Sequence, residues 1–370
     1  MELDEASPRG DSRLPVPRIA ADRILVIRLG ALGDVVRTRF AVAGVRRLYP
    51  DARLDWLVED RCRAGLEAMP GLDRIIEVRR RMLRPGAPRV AGRELRELVA
   101  TLRGGNYDLA LDFHGVLKSG VLARASSTRV RVGYGVGVAR EQSHRFYTHR
   151  VPMPRLHVSR FERNAVLVRF LGGEVPTEPP PLELPPAALA LAARVETGRV
   201  VLHPGTSPRT SYKRWDLDRW SRLARELRCE LGEASLVTFG PGERPAAERV
   251  VAAAGGAAEL APETPSVADL LALLQRARLF VGSDSGPLHL AALAGRPVVA
   301  LVGPTDPTEN APFPGLPARL VRYDTGCNPC RDGCPARACM AAILPGDVLR
   351  AVRELLETVP EPKRAPGIAP

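Results

Sequence analysis

The chain has 370 residues, long enough for two domains rather than one ordinary core. Apolar and charged fractions of 45% and 26% are those of a globular protein, and no apolar run approaches the ~20 residues of a membrane span. The 54 Lys and Arg residues outweigh 42 Asp and Glu residues for a net charge of +12, yet aromatics make up only 5% and do not interleave with the basic clusters, which speaks against nucleic acid as a partner.

Residues 1–21 are acidic and Pro-bearing and lack a signal-type apolar region, so they are expected to form a disordered leader. A cytoplasmic chain with reduced cysteines is expected. An apolar strand over 24–28 ends in Leu29-Gly30-Ala31-Leu32-Gly33-Asp34 and leads into a helix over 35–48. Strands follow at 53–58 and 75–78, a helix at 94–102, a strand at 109–111, a helix at 116–125 and a short strand at 130–133. The alternation of strands and helices argues for an α/β fold with a parallel sheet. The Pro-rich stretch 176–187 is expected to be a linker. A second α/β series then runs through a strand at 199–203, a helix at 217–231, a strand at 235–239, helices at 246–254 and 267–277, and strands at 279–281 and 297–302. Residues 308–342 read as irregular, and an amphipathic helix over 345–358 precedes a Pro-rich tail. The expected division is a first domain over 22–178, a second over 188–344, the helix 345–358 and a flexible tail over 359–370. Two doubly wound domains imply a ligand crevice at the carboxyl ends of their strands.

The candidate chemistry falls at those strand ends. Gly282-Ser283-Asp284-Ser285-Gly286-Pro287 opens onto a helix beginning near Leu288, with His289 beside it. A small-residue turn at a helix N-terminus offers unpaired N–H groups and the positive end of the helix dipole to a phosphate. Asp284 as a mere helix cap and His289 as a packed histidine are the alternatives. His203-Pro204-Gly205-Thr206 closes another strand, with Lys213 nearby as a point charge for the same phosphate or as a solvated lysine. Glu243, after Phe239-Gly240-Pro241-Gly242, suits a ribose contact or a plain surface position. Asp34 in the first domain suits a general base facing the crevice or, equally, an N-cap of its helix. Its turn lacks the three-glycine fingerprint of a dinucleotide loop, which speaks against a nicotinamide enzyme.

Three further groups stand out. Asp112-Phe113-His114-Gly115-Val116-Leu117-Lys118-Ser119 is another strand-end turn, so His114 and Lys118 are candidates for holding an acceptor. Arg79-Arg80-Arg81-Met82-Leu83-Arg84, with Arg89 and Arg93, is a solvated loop or a cradle for phosphates or anionic headgroups. Cys327, Cys330, Cys334 and Cys339 lie within thirteen residues, a density that suits either a structural metal, although the spacing is not that of a zinc ribbon, or simply a set of packed and surface cysteines.

Together ILVIRLGALGDVV, DWLVED, YDLALDFHGVLKSG, HPGTSPRTSYKRW and VGSDSGPLHLAALAGRPVVALVGPTDP resemble glycosyltransferase family 9, the ADP-heptose:lipopolysaccharide heptosyltransferases, over about residues 22–358. DWLVED, FHGVLKSG and RFYTHRV are more similar to members that add the first heptose, and the cysteine-rich segment to members nearer the second. The resemblance implies a GT-B fold, two Rossmann-like domains facing a central cleft, with the last helix crossing back toward the first domain. It implies inverting transfer without a metal or other cofactor at the reaction centre. ADP-heptose would be the donor and a Kdo or heptose unit of the lipopolysaccharide inner core the acceptor, reached from the cytoplasmic face of the inner membrane. By the same resemblance Asp34 matches the base and Lys213 the lysine that neutralises the leaving diphosphate. Thr206, Glu243, Asp284, Ser285, Gly286 and His289 match the donor site, while Gly33, His114, Lys118 and Arg84 are assigned to the acceptor. Two departures are Ser285 where the family usually has Thr, and Arg39-Phe40 where it usually has Leu-Pro.

Overall fold

A computed structural model describes residues 19–83, 90–330 and 333–359. Most of the leader, Arg84, Arg89 and all but the first residue of the tail lie outside the described residues. The first unit contains β1 (Arg23–Ile27), α1 (Leu32–Leu48), β2 (Arg53–Glu59), β3 (Arg74–Val78), α2 (Val90–Gly104), β4 (Leu109–Asp112), α3 (Leu117–Ala125), β5 (Val130–Tyr134), β6 (His149–Val151) and α4 (Arg160–Phe170). After α5 (Pro186–Ala192), the second unit contains β7 (Val200–His203), α6 (Leu217–Leu231), β8 (Ser235–Val237), α7 (Arg244–Ala254), β9 (Ala258–Leu260), α8 (Val267–Gln275), β10 (Leu279–Ser283), α9 (Gly286–Leu293), β11 (Val298–Leu301), β12 (Ala318–Val321), α10 (Ala338–Ala341) and α11 (Pro345–Thr358).

Both sheets are six-stranded and wholly parallel, ordered β3-β2-β1-β4-β5-β6 and β12-β11-β10-β7-β8-β9. The central strands are buried on both faces, as their unbroken apolar runs require: Ile24–Ile27 and Leu279–Val281 are fully enclosed. In each sheet the winding reverses between two central strands, β1 and β4 in the first and β7 and β10 in the second. A doubly wound sheet leaves its crevice at that point.

The two units pack through α1 and α9, which belong to different sheets. Gly33 permits the approach: a Cβ there would stand 3.2 Å from His289 Cδ2. Behind this contact Phe40 of α1, Phe161 of α4 and Phe313 form an aromatic cluster, with ring centroids 4.2 Å (Phe40–Phe313) and 5.2 Å (Phe40–Phe161) apart. Arg39 points the other way and gives its guanidinium to the carbonyls of Gly65, Glu67 and Ala68.

Several elements differ from the sequence reading. α1 begins at Leu32, with Ala31 as its N-cap, so Asp34 sits inside the first turn and does not cap the helix. α9 begins at Gly286 with Ser285 at the N-cap, which removes the capping alternative for Asp284. The segment read as irregular contains β12 and α10, both too short to show periodicity. The structure adds β6, α4, α5 and β9, and α5 starts inside the Pro-rich stretch 176–187 expected to be a linker. α11 does not cross back: its apolar face, Val348, Val352 and Leu355, packs into the second unit's core with Trp220 and Leu227 of α6.

Candidate active site

The site forms where the carboxyl ends of the two sheets meet. Asp34, in the first turn of α1, is surrounded by cations: Arg28 Nη2 at 2.6 Å from Oδ2, and Arg37 Nη2 at 3.0 Å and Arg160 Nη1 at 3.6 Å from Oδ1. Burial alone would raise the Asp34 pKa, but Arg28, Arg37 and Arg160 overcome it and hold the carboxyl far below the usual carboxylate range. Despite its cationic neighbours, Oδ1 is buried and accepts no well-directed hydrogen bond.

On the other side of the α1–α9 contact, Lys213 Nζ lies 2.9 Å from Asp284 Oδ2 and 3.1 Å from the Asp284 carbonyl oxygen. An ammonium has three donors, so one N–H is left for a ligand. Asp284 is 4% exposed. Burial acts to raise its pKa, and the neighbouring His289, Lys213 and Arg37 more than reverse the effect. His289 Nε2 stands 3.7 Å from Asp284 Oδ1, and burial with Arg37 lowers its pKa to about 4, so it is neutral at pH 7. The hydroxyls of Ser283 and Ser285 are buried without hydrogen-bond partners beside this turn. Arg37 and His289 are electrostatically coupled to both Asp34 and Asp284, which makes one charged centre from the two sheets.

The other donor candidates are more enclosed than the sequence indicated. The Thr206 hydroxyl donates to the Thr210 carbonyl at 3.0 Å and accepts from Arg214 Nε at 3.2 Å, so it braces its own loop. Glu243 is not a plain surface residue. Its Oε2 accepts the Gly240 N–H at 2.9 Å and lies so close over Gly205 that a Cβ on that glycine would be 1.9 Å from it.

Beside Asp34 opens a cavity of about 190 Å³ whose lining includes His114, Lys118, Glu59, Arg61 and Tyr134. Glu59 holds Lys118 Nζ at 2.5 Å and Arg61 Nε at 2.7 Å. His114 Nδ1 accepts the Leu29 N–H at 3.3 Å, and burial, reinforced by Arg28 and Lys118, lowers its pKa to about 3. Buried Asp112 shapes the turn that carries it, accepting the N–H groups of His114 and Gly115 and the Tyr147 hydroxyl. Gly33 is at the α1–α9 contact rather than in this cavity. A larger hollow, about 460 Å³ around Arg199, Glu233 and Arg278, lies at the amino ends of the second sheet's strands, away from this chemistry.

Two sequence-level groups separate from the site. Arg79 and Arg81 both pair with Glu94, and Arg93 pairs with Glu97, so much of the basic stretch is neutralised by α2. Cys339 is buried and Cys327 exposed, and among the described residues no three Cys, His, Asp or Glu side chains are arranged to hold a metal ion. The sequence reading missed Arg28, Arg37, Arg140, Arg160 and Arg163. Only Arg37, one helical turn from Asp34, carried a spacing signal.

Residues 95–339 match the family model "Glycosyltransferase family 9 (heptosyltransferase)". The chain belongs to glycosyltransferase family 9. The lipopolysaccharide heptosyltransferase 1 of Pseudomonas aeruginosa is 30% identical over 83% of this chain and 86% of its own length. The lipopolysaccharide heptosyltransferase 3 of Escherichia coli is 25% identical, covering 88% and 96%. Among solved structures, the family 9 glycosyltransferase of Veillonella parvula superposes with a TM-score of 0.73 at 20% identity, over 93% of this chain and 99% of that one. The E. coli heptosyltransferase WaaC, solved with ADP-2-deoxy-2-fluoro heptose, gives 0.68 at 23%, over 91% and 99%. This family 9 glycosyltransferase therefore has the GT-B fold, and no helix among its described residues is long and apolar enough to cross a membrane.

Proposed function

We propose that this glycosyltransferase moves a heptose from ADP-heptose onto a Kdo or heptose unit of the lipopolysaccharide inner core, with inversion at the anomeric carbon. The observation that carries this reading is the meeting of Asp34 with the Lys213–Asp284 turn through Arg37 and His289. In this reading Asp34 Oδ1 takes the proton of the attacking acceptor hydroxyl. The new glycosidic bond forms on the face opposite the departing ADP, whose bond to the sugar breaks. The free N–H of Lys213, the Ser285 hydroxyl and the N–H groups at the start of α9 receive the charge that builds on the diphosphate. Glu243 and His289 border the nucleotide, and His114 and Lys118 border the acceptor. The residues supply a base and a cation without a metal, and a positioned base is worth about 10²–10⁴-fold in rate.

The relatives it resembles are named lipopolysaccharide heptosyltransferases, which supports an acceptor of that kind; in this reading the enzyme works at the cytoplasmic face of the inner membrane. The test is to incubate the protein with ADP-heptose and with Kdo-bearing and heptose-bearing lipid A acceptors, and to weigh the products. One added heptose with one ADP released supports the reading. Transfer only from a different nucleotide sugar, or no transfer, overturns it.

A further inference from the structure

The cavity beside Asp34 holds more positive charge than its carboxylates can use. Arg28, Arg61, Lys118, Arg140, Arg160 and Arg163 line it, against Asp34 and Glu59. Glu59 takes Lys118 and Arg61, whereas Arg140 pairs with no carboxylate among the described residues. The Nε atoms of Arg28, Arg160 and Arg163 are buried without partners. Such a cavity is built for a ligand with negative charge of its own.

The groups facing Asp34 come from four elements: the cations Arg28 at the end of β1, Arg37 on α1 and Arg160 on α4, and the titratable but neutral His289 on α9. They are not equally fixed. Arg28 is pinned by Nη1 to the Phe113 carbonyl at 2.6 Å as well as to Asp34. Arg37 also reaches the Gly33 carbonyl and Asn310 Oδ1, both at 3.4 Å. Arg160 is looser. Its side chain is 28% exposed and stands 3.6 Å from both Asp34 and Glu309, while its backbone N–H is anchored on the Glu309 carbonyl. Arg163, one turn along α4, faces Glu309 at 3.7 Å. The helix start is held by the second unit while the guanidinium heads keep only long contacts.

A carboxylate surrounded by three guanidinium groups is a weak base, so a base at this position must lose a cation before it can take a proton. Building on the proposed role of Asp34, we propose that Arg160, assisted by Arg163, is a positioning residue that leaves Asp34 for a carboxylate or phosphate of the acceptor. Seating the acceptor thereby frees the base. Acceptor charge then serves both affinity and turnover, and an uncharged sugar with the same hydroxyl is a poor substrate even when it fits.

The test is a cycle on the full-length protein using three acceptors: intact, carboxyl-reduced and dephosphorylated. In the parent, loss of the recognised anion costs about 10–100-fold in kcat/KM. In R160M the same change costs less than about threefold, and the acceptor that shows this difference identifies the group. R160M also moves the acid limb of the kcat/KM profile to higher pH, and R160K restores part of the parent behaviour. A second measurement needs no turnover. Because Asp34 competes with the acceptor for Arg160, D34N binds intact acceptor about 2–5-fold more tightly in calorimetry, as expected for release of a partly exposed pair. That gain is absent when R160M is already present. Equal losses for parent and R160M with every acceptor, or a D34N gain that persists in R160M, overturn the proposal. A parent that binds acceptor in this pattern but transfers nothing refutes the transfer reading instead.

Discussion

Replacing Lys213 by Met removes one charge from a pair in which neither partner faces open solvent. The side chains of Lys213 and Asp284 are 15% and 4% exposed, and they meet at 2.9 Å. Orphaning a buried charge of this kind costs about 3–5 kcal/mol. The lower end is expected, because His289 Nε2, 3.7 Å from Asp284 Oδ1, can take up a proton in place of the lost ammonium. The pH dependence follows from the direction of the Asp284 shift. In the parent its pKa is held below the unfolded value, so its stabilisation is complete above the usual carboxylate range and fades only in strong acid. In K213M burial acts with less opposition, His289 and Arg37 remaining, and the pKa rises, so the cost of the ionised form is greatest at pH 7 and shrinks as Asp284 is protonated. Thermal melts of parent, K213M and K213R at pH 7.5 and 5 should show a large deficit for K213M that narrows in acid. ADP affinity, read by calorimetry, should fall about 10–100-fold, the worth of one charge-assisted hydrogen bond. A K213M melt that matches the parent at both pH values, with ADP affinity unchanged, would return Lys213 to the status of a solvated lysine.

Three more outcomes follow from the same geometry. His203 and His289 are buried and His114 is half-buried, with pKa values lowered to about 4, about 4 and about 3, so the unfolded chain binds their protons first. Stability should therefore fall by about 1.4 kcal/mol per pH unit for each histidine between pH 6 and 5, and a flat melting profile over that range would contradict their burial. G205A sets a Cβ against Glu243, 1.9 Å from Oε2, and should weaken ADP binding while α6 and the core around Trp220 keep their fold; unchanged ADP affinity would remove Glu243 from the donor site. Thiol labelling under native conditions should modify exposed Cys229 and Cys327 quickly and buried Cys62, its pKa pushed up by burial to about 11, only on unfolding; rapid native labelling of Cys62 would contradict its placement behind Gly30.

Both doubly wound sheets are legible because their strands carry unbroken apolar runs and end in Gly-rich turns, so the sequence puts Asp34 and Asp284 at strand ends and Lys213 a few residues beyond one. Short elements were not legible. β6 and β9 have three residues each, too few for a period, and their register comes from neighbouring strands. α4 was hidden because two of its arginines, Arg160 and Arg163, take their meaning from partners on distant elements. Arg160 meets Asp34 and Glu309 only when both units are folded. Thr206 and Gly33 show the same limit from the other side: their positions suggested ligand contact, but neighbouring residues use them to brace a loop and seat one helix on another. The family resemblance supplied roles where spacing supplied only candidates, and the charge surrounding those residues emerged from tertiary structure.

The most direct test of the central claim is D34N measured in two assays on the same preparation. The account predicts that transfer from ADP-heptose to the Kdo-bearing acceptor falls about 10²–10⁴-fold, the contribution of a positioned base, while ADP binds with nearly the parent affinity because the Lys213–Asp284 turn is untouched. A D34N enzyme that transfers at the parent rate would contradict it.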